Sequence, residues 1–277
     1  MSPEHGRAAR ESLRETFGAV AERYDRARPG YPEQTVDDLV ALAGLAAGAQ
    51  VLEIGCGTGQ LTVPLARRGL AVTAVELSPA LAAVARRKLA LVTRPPELPE
   101  PVVDVGAFED WSAQGRSFDL VVSATAFHWI DPAVRVPKSV SLLAPGGSLA
   151  VISTEHVGGA DDFFQLAQDC YVRWDPDVTE PEQMQPPTSL PTASPELDGS
   201  PLLGPVQLRR YVWDATYSTA SYLELLLTYS GHLALPDAAR EGLLGCLADL
   251  IERRGGSVTK TYLTELRVAR AATGHVR

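Results

Sequence analysis

Four residues at alternate positions, Glu53, Gly55, Gly57 and Gly59, form the most telling chemical pattern in the chain. They lie in the stretch Gln50 to Gln60, QVLEIGCGTGQ, where the apolar run of Val51, Leu52 and Ile54 stops at the first glycine. An apolar run bounded by glycines predicts a buried strand feeding a tight turn. Leu61, Val63, Leu65 and Ala66 beyond it predict a helix, with Thr58 as its N-cap. Strand, glycine turn and helix in that order bring bare backbone N–H groups close to a ligand. Glu53 selects the sign of that ligand, because a carboxylate suits a cation and is poor company for a pyrophosphate. The glycine spacing agrees: Gln60 stands where a dinucleotide fingerprint has its third glycine.

Glu53-x-Gly55-x-Gly57-x-Gly59 resembles the first motif of the class I S-adenosylmethionine (SAM)-dependent methyltransferases. In that family the acidic side chain lies near the methionine ammonium, and the glycines let the loop pass under the ribose and amino-acid part. The resemblance implies SAM as cofactor, S-adenosylhomocysteine (SAH) as product, and no metal. Glu76 ends the next apolar run, where a carboxylate bonds a ribose diol by accepting from two hydroxyls at once. Nicotinamide enzymes share that signal. After a third strand the family wraps the adenine in a Gly-Asp-Ala-Glu-type turn; here the turn reads Ala107-Phe108-Glu109. Ala107 replaces the usual carboxylate, so Phe108 is expected to stack on the base, with Glu109 or a backbone group at its amine. Cys56, Leu77 and Ser123 complete the expected cofactor contacts, while Trp111 reads as a core aromatic. SFDLVVS, Ser117 to Ser123, matches the family's F-D-L-V strand, with Asp119 as a structural carboxylate, and LLAPGGSLAVIST resembles its L-x-P-G-G turn and fifth strand.

Phe127-His128-Trp129 follow the fourth strand, and in an open α/β sheet ligands bind outside the carboxyl ends of the strands. His128 is the candidate general base, its ordinary pKa suiting proton removal near neutrality. Tyr24, Tyr31, Arg26 and Arg28 fall in YDRARPGYP, a segment that resembles the aromatic N-terminal lid of methyltransferases related to the trans-aconitate enzymes. Tyr24 joins His128 as a catalytic candidate, and Tyr31, Phe127, Trp129 and Arg28 are the candidate acceptor contacts. These aromatics favour a flat acceptor such as a phenol, an aryl amine or an indole-like ring, methylated on O, N or C. A small carboxylate clamped by Arg26 or Arg28 is the alternative. A nicotinamide oxidoreductase and a non-catalytic SAM-binding protein are the rival classes. Ser123-Ala124-Thr125-Ala126 lacks the [DN]-P-P-[YF] signature of DNA and protein amide methyltransferases, which favours a small molecule.

The elements that must position these residues alternate strand and helix across 50–154, the mark of a doubly wound parallel sheet. The resemblance extends this to seven strands, the last antiparallel, with helical lid and cap elements. Residues 1–47 are expected to form N-terminal helices (11–24 and 33–47) and the lid, 48–155 the Rossmann-like SAM-binding core, 156–205 a Pro-rich insertion, and 206–277 two strands with an inserted helical cap. In the core, Ser78 and Pro79 should start a helix over 79–92; another is expected over 132–143. Further helices are expected over 161–173, 219–231 and 237–254. YDRARPGYP should interrupt the first helix at Tyr24, being too rich in Pro and Gly to continue it.

A chain of 277 residues, 45% hydrophobic and with a formal net charge of −9, can bury a sizeable core and shows no basic tract for a nucleic-acid backbone. No apolar run is long enough to span a membrane. Cys56, Cys170 and Cys246 are odd in number and widely spaced, which fits a reduced cytoplasmic protein better than a disulfide framework. His5, His156, His232 and His275 lack a chemical context and read as surface or helix residues. Abundant alanine and arginine point to a bacterial source, and a small-molecule acceptor to secondary metabolism.

Overall fold

The computed structural model describes residues 21–181 and 183–272. The N-terminal part of the expected first helix, His5 and His275 lie outside them. Helices α1 (Ala21–Ala27) and α2 (Glu33–Ala43) precede β1 (Gln50–Ile54). Then follow α3 (Thr62–Arg67), β2 (Ala71–Glu76), α4 (Pro79–Leu89), β3 (Val102–Val105), β4 (Phe118–Ala124), α5 (Pro132–Ser141) and β5 (Leu143–His156). Short helices α6 (Phe163–Leu166), α7 (Gln168–Trp174) and α8 (Pro195–Asp198) fill the Pro-rich segment. Strand β6 (Gln207–Ser218), helices α9 (Thr219–Leu226), α10 (Ser230–Ala234) and α11 (Asp237–Arg253), and strand β7 (Ser257–Arg270) complete the chain.

The seven strands form one sheet in the order β3-β2-β1-β4-β5-β7-β6. Pairings from β3 through β5 are parallel, while β7 runs antiparallel to both β5 and β6. Strands covered on both faces carry continuous apolar runs, and every residue of β2 is buried. One apolar layer joins α2, α3 and α4 to the sheet, a second lies beneath α5, and a third joins α7, α9 and α11 over β6 and β7. The strand order reverses between β1 and β4, and their carboxyl ends open the crevice that such a switch creates.

Local signals explain most boundaries. Ser78 accepts from Leu81 N at 3.4 Å with Pro79 at the first helical position, and Asp131 accepts from Ala133 N at 2.9 Å before Pro132. Asp119 accepts from Gln50 N at 2.8 Å, a structural role tying β4 to β1. Thr58, by contrast, caps nothing. Helix α3 starts only at Thr62, because the glycine loop runs further than the sequence implies, and the Thr58 hydroxyl instead accepts from Gln60 Nε2 at 2.6 Å. Helix α1 continues past Tyr24 to Ala27, since its first Pro comes only at Pro29. The single helices expected over 161–173 and 219–231 are each divided in two. Among the described residues no helix is long and apolar enough to cross a membrane.

The cysteines depart from expectation. Cys170 on α7 and Cys246 on α11 form a disulfide, their Cα atoms 5.8 Å apart; only Cys56 is free. Packing of α7 against α11 creates this proximity across a sequence separation of 76 residues, which no local spacing reveals. A closed loop of that size stabilises by about 4.5 kcal/mol in the chain-entropy view. Thermal melts with and without a phosphine reductant should therefore differ, the reduced protein melting several degrees lower and Cys170→Ser showing no such difference.

Candidate active site

The glycine loop is held open by one carboxylate. Glu76, at the end of β2, accepts from Gly57 N through Oε2 and from Ser78 N through Oε1, both at 2.9 Å. Gly55 and Gly57 adopt φ of 71° and 56°, and a Cβ on Gly55 would meet the Ala126 Cβ at 2.5 Å. No side chain fits there, so backbone alone faces the cavity. Behind the loop Glu53 is 1% exposed, and its Oε2 has no hydrogen-bond partner among the described residues. Burial pushes its carboxyl up to about 8, opposed by the Thr62 hydroxyl and reinforced by the Glu76 charge.

A cavity of about 330 Å³ runs from Gly55, Gly57, Glu76 and Leu77 past Phe108 and Glu109 to Tyr24, Arg28, His128 and Trp129, ending at Thr154, His156 and Tyr229. A narrower crevice of about 70 Å³ adjoins it, bounded by Glu53, Cys56, Tyr31 and again Tyr24, Arg28, His156 and Tyr229. Thr125 joins the two, held at φ 53° and sharing a hydrogen bond with the Tyr31 hydroxyl at 3.0 Å. A β-branched residue in that conformation is a strained outlier of the kind that gathers at functional sites.

Residues 51–147 match the methyltransferase domain family. That match supports a class I SAM-dependent methyltransferase domain over this part of the chain. An uncharacterized methyltransferase of Mycobacterium tuberculosis is 36% identical over 144 residues, 52% of this chain and 54% of that protein. A ubiquinone biosynthesis O-methyltransferase of Xanthomonas campestris is 38% identical over 143 residues, 48% of this chain and 56% of that protein. The chain thus spans about half the length of the curated relatives it matches. A proposed type II methyltransferase from Anaeromyxobacter dehalogenans shares the fold, with a TM-score of 0.56 at 22% identity, over 88% of this chain and 97% of that one.

The crevice suits this domain's cofactor. A buried carboxylate oxygen with no partner, beside a glycine loop without side chains, is a setting for an ammonium or sulfonium ligand and not for a phosphate. The structure brings together on the cavities thirteen of the sixteen residues singled out from sequence: Tyr24, Arg28, Tyr31, Glu53, Gly55, Cys56, Gly57, Glu76, Leu77, Phe108, Glu109, His128 and Trp129. Cys56 is 3% exposed and burial pushes its thiol up, so it lines the crevice as an inert apolar group. Burial also pushes the Tyr24 phenol up, leaving it a hydrogen-bond donor and not a base, and Glu109 accepts from Asp131 N at 3.1 Å.

Three fall elsewhere. Ser123 is fully buried and donates to Ile54 O at 2.9 Å, so it joins β4 to β1 and does not reach the cavity. Gly59 donates to Cys56 O at 2.9 Å and lies against Val63 and Ala85, shaping the turn from behind. Phe127 is buried in the layer beneath α5 and lines a third cavity, of about 430 Å³, beyond His128. Arg26 is exposed and pairs with Glu224 at 3.6 Å, so it clamps nothing in the site. Trp111 donates to Asp104 at 2.9 Å and packs in the core, as its sequence context implied.

Sequence reasoning missed the far wall. His156 ends β5 as an exposed residue, as expected, but it also lines both cavities and meets the Tyr229 hydroxyl through Nε2 at 3.2 Å. His232 joins the Tyr171 hydroxyl at 3.0 Å. Lys260 on β7 is 4% exposed, with its Nζ 5.4–5.6 Å from the Tyr262, Tyr229 and Phe164 ring centroids. Burial and the Arg28 charge bring it down to about 7. The signal lay in the register: β5 pairs with β7 so that His156 faces Tyr262, and no local motif encodes that.

The two displaced groups leave opposite marks on stability. Glu53 holds its proton in the folded state up to about 8 against 4.5 as a free side chain, so its contribution is present below 4.5 and is lost as pH rises to 8. Lys260 binds its proton more weakly folded, about 7 against 10.5, so its cost persists below 7 and is relieved as pH rises towards 10.5. Denaturant unfolding across pH should show Glu53→Gln gaining on the wild type between pH 5 and 8, and Lys260→Met gaining most below pH 7. Parallel profiles for a variant and the wild type would remove that residue's assigned shift.

Proposed function

We propose that this protein transfers the methyl group of SAM to a small acceptor with an aromatic ring. The observation that supports this most is the continuity of one cavity from the glycine loop and Glu76 to an aromatic and histidine-lined far wall. SAM supplies an electrophilic methyl on a sulfonium whose leaving group is already activated. Glu53 would take the ammonium, Glu76 the ribose diol and Phe108 the adenine, each from its place on the wall. The chain's remaining work is alignment, removal of water and acceptance of a proton.

His128 is the proton acceptor in this reading. Its pKa is lowered by desolvation and by the neighbouring Arg135, so the imidazole is neutral at pH 7 with a lone pair available. Trp129 lies against it, ring centroids 4.9 Å apart, and offers a flat surface beside the base. The relative in ubiquinone biosynthesis, an O-methyltransferase by name, supports an oxygen acceptor among the candidates.

Calorimetry should find SAH binding and no heat with NADH. Gly55→Ala should abolish SAH binding, because its Cβ would meet Ala126 at 2.5 Å. With an acceptor that must lose a proton, His128→Ala should lower kcat by about 10²-fold or more while SAH affinity stays unchanged. NADH binding in place of SAH would sink the methyl-transfer reading, and unchanged kcat in His128→Ala would sink the base.

A further inference from the structure

The third cavity, of about 430 Å³, adjoins the first, and Thr125, His128 and Thr154 bound both. One wall of it comes from the Pro-rich segment, through Ser194, Glu196 and Leu197. Three arginines pin that segment. Arg210 donates to the Pro187 and Leu190 carbonyls at 3.0 and 3.3 Å, and Arg267 donates to the Thr192 carbonyl at 3.3 Å. Arg135 grips Glu196 through two bonds of 2.6 Å. Glu265, only 5% exposed, pairs with Arg210 at 3.0 Å and with Arg267 at 2.7 Å. Buried ion pairs add little to stability, so a loop that merely joined β5 to β6 would gain little from them. A pinned wall does give the cavity a fixed shape, which a binding site needs.

The charges on this wall are already matched. Arg135 has Glu196 and Arg267 has Glu265, while Glu155 is exposed to solvent. An ionic ligand would have to compete with those partners. What the wall leaves open is hydrogen bonding. The buried Arg267 Nε has no partner among the described residues, and the Ser153 and Ser194 hydroxyls line the same space. Such a mixture of donors and acceptors is matched by a ligand's own hydroxyl groups, each of which can do both. We propose that the third cavity seats a neutral, sugar-like polyol carried by the acceptor, whose aromatic ring lies in the first cavity beside His128. This deepens the methyl-transfer reading and rests on it. The acceptor class is then an aryl glycoside or a similar aryl polyol, and the Pro-rich segment sets which of these fit.

The test is calorimetry on SAH-saturated protein with hydroquinone, its α- and β-glucosides, and 4-(cyclohexyloxy)phenol, which keeps a six-membered ring without the sugar hydroxyls. At least one glucoside should bind about tenfold or more tighter than both other probes, about the worth of one or two net hydrogen bonds. Ser194→Trp should fill the cavity and erase that margin at unchanged SAH affinity. The Ser194 side chain caps no helix, so α8 keeps its start. Ser153→Ala removes one hydroxyl and should narrow the margin several-fold; circular-dichroism melts report which variants fold. Four results overturn the proposal: no glucoside preferred or bound, a cyclohexyl ether that binds as well as the glucosides, a margin unchanged in each variant that folds, or loss of SAH affinity in Ser153→Ala, which would give the cavity to the cofactor. Failure of wild-type protein to bind SAH at all would instead remove the methyl-transfer reading.

Discussion

The site depends on the two hydrogen bonds that Glu76 accepts from Gly57 N and Ser78 N. They fasten the loop leaving β1 to the start of α4, across the carboxyl end of β2. Charge-assisted bonds of this kind contribute about 1.5–3 kcal/mol each, more than a neutral pair, and Glu76 is only 7% exposed. Without that anchor, three glycines with positive φ would leave the loop free to collapse onto the sheet. The same carboxylate lines the cavity, so the group that shapes the floor also sets its negative sign.

Closure over that floor rests on Arg28. Its side chain reaches from just beyond α1 to Thr228, at the end of α9, and lies over the Tyr24 and Tyr229 rings. The N-terminal segment and the end of α9 are thereby joined beside the cavity by one planar cation, which can donate in a fixed fork and stack at the same time. A lysine could do neither. Further back, Tyr211 donates to Asp38 at 2.6 Å and ties β6 to α2, while the disulfide ties α7 to α11. The helices that follow β6 are thus fixed at their outer side and meet the N-terminal segment through Arg28.

Legibility from sequence followed contact range. The glycine loop, the Ser78 and Asp131 caps and the parallel strands were readable because each is encoded within a few consecutive residues. Asp119 was assigned a structural role because it opens a strand, and it holds Gln50 N. Ser123 misled for a related reason: a polar residue near a strand's carboxyl end is as well placed to bridge strands as to reach a ligand, and alternation turned it inward. His156, Lys260 and the Cys170–Cys246 pair were invisible because antiparallel pairing of β5 with β7 and packing of α7 on α11 assemble them from distant segments. A lysine carries no local mark of burial.

Two buried titratable groups, Glu53 and Lys260, give the site an order that its shape alone does not. Burial drives Glu53 and Lys260 each towards its uncharged form, so the protein without ligands does not carry both charges in full. A cationic ligand at the glycine loop would draw the proton off Glu53 and so restore the charge that holds it. An anion at the same place would meet either a neutral carboxyl or a repelling one. Selectivity then follows from desolvation, since the same groups in water would hold their charges whatever lay beside them. The apolar rings around Lys260 and the burial of Glu53 are what make both groups sensitive to the charge of whatever lies beside them.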